Sequence, residues 1–240
     1  MLWNMEAIRG YALRATDDTI GAIDDLYFDD MGWVVRYVVV GTGSWLFGRK
    51  VLIAPSAFEQ PDADRREFPV SLTKDKIKNS PDIDTAKPVN RQQEAELHKY
   101  YGWPHYWAPT AVMPEAPVMA EPEVPSEVAR GDPHLRSARE VEGYHIHAQD
   151  GSIGHVSDFQ VDVQDWKVRY LVVDTRNWLP GRKVLVSPDW VRRIDWAERM
   201  VNVALARDQV KESPEYEPGQ RVDRTYEGRL YEHYGSPPYW

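Results

Sequence analysis

The chain has 240 residues, 42% of them hydrophobic and 28% charged, a balance suited to ordinary globular domains, and no apolar run is long enough to span a membrane. A formal charge of -9 argues against non-specific attraction to nucleic acid or to an anionic membrane surface, since both are polyanions. The absence of cysteine excludes disulfides, thiolate catalysis and thiolate metal sites.

The chain starts Met1-Leu2-Trp3-Asn4-Met5-Glu6, without the cationic and apolar segments of a secretory signal, so a cytoplasmic protein is expected. Its main feature is internal. Residues 5–107 align with 138–240 at a constant offset of about 133, without a gap and with roughly 40 identities, which marks a tandem duplication. Gly10-Tyr11 recurs as Gly143-Tyr144, Arg36-Tyr37 as Arg169-Tyr170, and Gly48-Arg49-Lys50-Val51-Leu52 as Gly181-Arg182-Lys183-Val184-Leu185. Three regions follow: a first module at 1–107, a linker at 108–132 and a second module at 133–240. The linker carries Pro109, Pro114, Pro117, Pro122 and Pro125, a composition that closes no core and favours polyproline II. At ~3.1 Å per residue it reaches on the order of 75 Å, which leaves the modules free either to pack together or to sit apart, and its composition with the gapless repeat predicts that each folds independently.

In chain order, residues 10–15 and 19–29 read as strands around the turn-forming Asp17-Asp18, and the second copy has the stronger hairpin signal Asp150-Gly151. Residues 33–40, Trp-Val-Val-Arg-Tyr-Val-Val-Val, predict the most buried strand, repeated at 166–173. Short strands follow at 51–53 and 68–72, and a short helical turn at 73–79 ends before Pro81. Asn90 caps a helix with Gln93 at its third position, and Gly102 with Pro104 stops it; Asp223, Gly235 and Pro237 repeat these signals. The fold class is mainly β: two small barrels, each followed by short helices. Closure of so small a sheet removes exposed edges.

Gly21-Ala22-Ile23-Asp24-Asp25, the run Val34-Val35-Arg36-Tyr37-Val38-Val39-Val40 and Val51-Leu52-Ile53-Ala54-Pro55 resemble the PRC-barrel family. The second copy matches at Gly154-His155-Val156-Ser157-Asp158, at 168–173 and at 184–188. The resemblance covers about the first 75 residues of each copy. It implies a small β-barrel of the kind found in the cytoplasmic part of the photosynthetic reaction centre H subunit and in the carboxy-terminal half of a ribosome maturation factor. Known members bind proteins rather than transform substrates, so the resemblance brings no catalytic residues. It implies a non-catalytic interaction or scaffolding protein with a protein partner or self-association. The alternatives are a ribosome- or RNA-associated assembly factor and a soluble relative of the H subunit that assists a membrane complex.

Asp25 and Asp158 stand where the apolar alternation changes parity, which predicts a β-bulge that re-aims the carboxylate. Arg36 and Arg169 interrupt apolar strands. Each acid is expected to satisfy backbone amides or the arginine of its own module, or else to meet a partner. The loops Trp45-Leu46-Phe47-Gly48-Arg49-Lys50 and Trp178-Leu179-Pro180-Gly181-Arg182-Lys183 set an aromatic beside two cations: either an anion or acidic surface binds there, or the tryptophan covers the barrel mouth while the cations snorkel. His145 and His147 share a strand face, whereas a two-residue turn at Asp150-Gly151 sets His155 opposite Ile146, pointing away, so no metal site is expected. No motif indicates a cofactor or a small-molecule ligand. The aromatic tails ending in Tyr106-Trp107 and Tyr239-Trp240 carry too much apolar area to stand free: they cover their own barrel, the sister barrel or another chain, and their outward aim beyond the glycine and proline predicts docking on the sister module or on a second chain.

Overall fold

The computed structural model describes residues 1–85, 88–107, 132, 134–175 and 182–240, apart from the side chain of Trp45. The first copy runs β1 (Leu2–Asn4), α1 (Met5–Ile8), β2 (Ala12–Arg14), β3 (Thr19–Asp29), β4 (Val34–Gly41), β5 (Lys50–Ile53), β6 (Glu67–Pro69), α2 (Lys74–Lys78) and α3 (Arg91–Tyr101). The second runs β7 (Leu135–Ser137), α4 (Ala138–Val141), β8 (His145–Ala148), β9 (Gly151–Asp162), β10 (Lys167–Asp174), β11 (Lys183–Val186), β12 (Val191–Asp195), β13 (Met200–Val203), α5 (Arg207–Glu212) and α6 (Arg224–Tyr234). The long strands lie where the β-branched runs require them. Helix α3 carries the capping box between Asn90 and Gln93, and Gly102, at φ 78°, ends it in the left-handed conformation. Among the described residues, no helix is long and apolar enough to cross a membrane.

The two copies do not stand apart. A single sheet passes through both in the order β12-β13-β8-β9-β10-β4-β3-β2-β6. At its centre β4 and β10 pair antiparallel with Val34 opposite Lys167. These are equivalent positions of the repeat, so a local two-fold axis passes between them. Val35 N–H donates to the Trp166 carbonyl at 2.7 Å, and Val168 N–H to the Trp33 carbonyl at 2.8 Å. Both tryptophans hold positive φ, 56° and 53°, an uncommon conformation for so bulky a residue, and it recurs at the same place in each copy.

The copies also exchange their first strands. β1 pairs with β9 of the second copy, and β7 pairs with β3 of the first. Helices α1 and α4 follow across the axis, where Arg9 and Glu142, again equivalent positions, form an ion pair at 2.7 Å. Met5 and Ile8, fully buried, join a hydrophobic core that contains residues of both copies, and Phe28 meets Phe159 at 5.9 Å between centroids. Burial of each such side chain contributes on the order of 2 kcal/mol. The expectation of independently folding modules therefore meets a shared sheet, a shared core and exchanged strands. The linker's composition carried no information about any of them.

A glycine enforces one close approach in each copy. A Cβ on Gly21 would lie 2.1 Å from the Gly41 carbonyl oxygen, and one on Gly154 would lie 2.0 Å from that of Asp174. Both glycines also hold large positive φ, 149° and 138°. Gly228, inside α6, has nothing near its missing Cβ. Gly21→Ala and Gly154→Ala should each destabilise the protein by on the order of 3 kcal/mol, whereas Gly228→Ala should be neutral or stabilising by up to about 1 kcal/mol. Chemical denaturation of the three variants checks this, and equal effects at all three positions would contradict the packing described.

Candidate binding cleft at the junction of the two copies

A bulge does interrupt β3 between Ile23 and Asp25, and the β9–β10 ladder shifts register beside Asp158. Each aspartate binds the amide that follows it, Leu26 N–H at 2.8 Å or Phe159 N–H at 2.7 Å. The remaining donors come from the other copy, which corrects the expectation of partners within one module. Asp25 accepts from Ser137 Oγ at 2.5 Å and from Arg139 N–H at 3.1 Å, at the start of α4. Asp158 accepts from Glu6 N–H at 3.2 Å, at the start of α1. Burial pushes the Asp158 pKa up to about 6 and raises that of Asp25, although these donors favour the charged form.

The arginines also have partners other than those expected. Arg36 binds Asp29 at 2.6 Å and lies 4.2 Å over the Tyr106 ring. Arg169 binds Asp165 and lies 4.1 Å over Tyr239. Arg49 donates to the carbonyls of Ser80 at 2.7 Å and Pro81 at 2.6 Å, and Arg182 to those of Lys211 and Ser213. Lys50 pairs with Asp24 at 2.7 Å, an acid shared with Arg139 of the other copy. Lys183 is half-buried in β11, and its carbonyl accepts from Tyr216 N–H at 2.8 Å. Trp178 and the side chain of Trp45 lie outside the described residues, while Phe47, beside Trp45 in sequence, is 98% exposed.

Two further corrections concern the histidines and the tails. Irregular pairing between β8 and β9 brings His145 directly opposite His155, rather than setting His155 against Ile146. Among the described residues no group of three His, Cys, Asp or Glu is arranged to hold a metal. The tails turn back on their own helices instead of crossing to the sister module, because the left-handed Gly102 and Gly235 reverse the chain. Tyr106 donates to Glu94 at 2.6 Å and Tyr239 to Glu227 at 2.8 Å. Trp107 stacks on His105 at 4.7 Å and carries Arg91 4.5 Å over its ring, whereas Trp240 stays half exposed.

These tyrosines belong to a cluster that inspection of the sequence missed. Glu94, fully buried, accepts from Tyr37 at 2.9 Å as well as from Tyr106, and lies 3.3 Å from Arg91. Arg91 also holds Asp132, where the chain re-enters from the linker, at 2.6 Å. His98 Nδ1 donates to the Pro104 carbonyl at 2.8 Å, so Nε2 of the neutral ring is the acceptor that meets the Tyr37 hydroxyl at 2.8 Å. The single Tyr37 proton thus lies between two acceptors, Glu94 Oε2 and His98 Nε2. Burial, the largest influence, pushes the Glu94 pKa up to about 7 and lowers that of His98. The second copy repeats Tyr170, Arg224, Glu227 and Tyr239 but has Tyr231 in place of His98. The identity of these positions in both copies was the signal available in the sequence.

In front of this cluster, at the junction of the copies, opens a cleft of about 670 Å³. Its floor is aromatic: Phe58, Trp103 and Tyr106 from the first copy, and Trp166 from the second. Glu59 and Asp165 stand at its rim, and Arg36 within it is neutralised by Asp29.

Glu94 and Asp158 give the fold an unusual pH dependence. Both titrate higher when folded than when unfolded, so between about pH 5 and 7 the folded state binds more protons, and stability falls as pH rises through this window. Asp24 acts in the opposite sense at lower pH: burial pushes its pKa up, but Lys50 and Arg139 outweigh this and hold it low, so its contribution is lost on acidification. The melting temperature should therefore decline from pH 5 to pH 7, and Glu94→Gln should flatten that decline. An equal slope in both proteins would show that Glu94 is ionised throughout.

The PRC-barrel domain profile matches residues 6–77 and 133–209, the two copies described above. A comparison with curated proteins gives no match. With the profile covering more than half of the chain, the chain belongs to the PRC-barrel domain family and carries the domain twice.

Proposed function

We propose that the protein is a non-catalytic interaction scaffold that binds another polypeptide in the cleft between its two copies. The observation that carries this reading is the aromatic lining of Phe58, Trp103, Tyr106 and Trp166 in a cleft to which both copies contribute. Rings of this kind provide large rigid contact area at low entropic cost, which suits protein recognition. The buried ionisable groups have other work. Asp25 and Asp158 cap helices across the axis, Glu94 anchors the first tail, and Arg36 is bound on both sides. Phe47, exposed on a turn that Arg49 fastens to the carbonyls of Ser80 and Pro81, offers a second apolar contact.

A photo-crosslinking amino acid placed at position 103 or 47 in the native host tests this reading. Position 103 should yield a discrete polypeptide adduct that an exposed control, position 212 at the end of α5, does not. Adducts equally frequent and equally diverse at 103 and 212 would contradict it.

A further inference from the structure

The two copies agree in their cores and differ at their outer hairpins. Glu59-Gln60 of the first copy occupies the positions of Arg192-Arg193 in the second. In the second copy this segment is β12, which ends the sheet and pairs only with β13 among the described residues. The register shifts between Val191 and Arg193, so Arg192 has no counterpart on β13. Both arginines are exposed, and neither has an ion pair among the described residues. An edge strand leaves a row of backbone donors and acceptors free, and here it presents two adjacent guanidinium groups on a chain of net negative charge.

The cleft of the first copy has the complementary chemistry. Glu59 at its rim is exposed and has no ion pair among the described residues, and Asp165 beside it binds Arg169 through one oxygen and accepts from Lys167 N–H at 3.2 Å through the other. Trp103 and Tyr106 line the floor, where Arg36 already lies 4.2 Å over the Tyr106 ring, so the rings of this cleft accept a guanidinium. The cations already present do not oppose this: Arg36 is held by Asp29, and burial lowers the pKa of His98, which favours its neutral form. A carboxylate on the rim and aromatic rings below it suit an arginine side chain better than any other.

We propose that the chain associates with itself head to tail, the Arg192-Arg193 edge of one chain docking in the junction cleft of a second copy. This rests on the reading of the cleft as a protein-binding surface and names its occupant. The contact is heterologous, joining different surfaces of the two chains, so it builds a ring or an open row. Being electrostatic at its rim, it weakens as salt rises.

Because the contact is heterologous, two defective chains can complete each other. Arg192→Glu with Arg193→Glu removes the edge and leaves the cleft, while Glu59→Lys with Gln60→Lys reverses the cleft rim and leaves the edge. All four side chains are exposed, and circular dichroism will show the β signal retained. In light scattering the unaltered chain should exceed the mass of one chain and lose mass with added salt, and each double variant should be monomeric. An equimolar mixture of the two variants should give a one-to-one complex. The proposal is overturned if the unaltered chain stays monomeric over its soluble concentration range, or if either variant associates like the parent, or if the mixture does not associate. A monomeric parent that still crosslinks a foreign polypeptide at position 103 would leave the cleft as a protein site and remove only the second copy as its occupant.

Discussion

A buried carboxylate needs donors, and in this protein the donors for Asp25 and Asp158 arrive from the opposite half of the chain. Each sits at a register break in a long strand, binds its own following amide, and has acceptor capacity left. Ser137 and the amide of Arg139 fill it for Asp25, and the amide of Glu6 does so for Asp158. Each carboxylate thereby meets the open end of a four-residue helix that could not persist alone. With the caps fixed, β1 and β7 lie along the sheet of the other copy, and Met5, Ile8, Ala138 and Val141 complete the shared core. Duplication has in effect joined two exchanging partners into one chain.

That arrangement explains why the copies agree and where they are free to differ. Positions near the axis meet their own equivalents, as Val34 meets Lys167 and Arg9 meets Glu142, so each must suit the other. The buried tyrosine and glutamate clusters repeat because each fastens a tail to its helix. The outer hairpins bear no such constraint. There Glu59-Gln60 faces Arg192-Arg193 across the repeat, and Trp103 stands where the second copy has Ser236. A protein of two copies with the same core thus has two unlike surfaces.

Much of one copy was legible in the sequence because local rules decide it. Alternation and β-branching place β3, β4 and β5, the Asn90–Gln93 box starts α3, and the parity break at Asp25 marks a real bulge. What joins the copies was not legible. A three-residue strand such as β1 has no periodicity to read, and its partner lies across the repeat, at a separation no local rule addresses. The assignment of His155 to the face opposite His145 failed for a related reason: a register shift, invisible in the histidines themselves, realigns the hairpin. The course of the tails is likewise hidden in sequence, where Gly102 and Gly235 mark only the end of a helix, whereas a left-handed cap also reverses the chain. The Glu94 cluster is assembled from positions 37, 91, 94, 98 and 106, and only the recurrence of 37, 91, 94 and 106 in the second copy could have singled it out.

The exchange held by the two aspartates is tested most directly by hydrogen–deuterium exchange on Asp25→Ala. Loss of this carboxylate removes the bonds from Ser137 and Arg139, so amides of β7 and α4, more than 100 residues away in sequence, should lose protection. Those of β1 and α1, held by Asp158, should keep theirs. Loss of protection confined to β3 and its neighbours in the first copy, with β7 and α4 unchanged, would contradict the account.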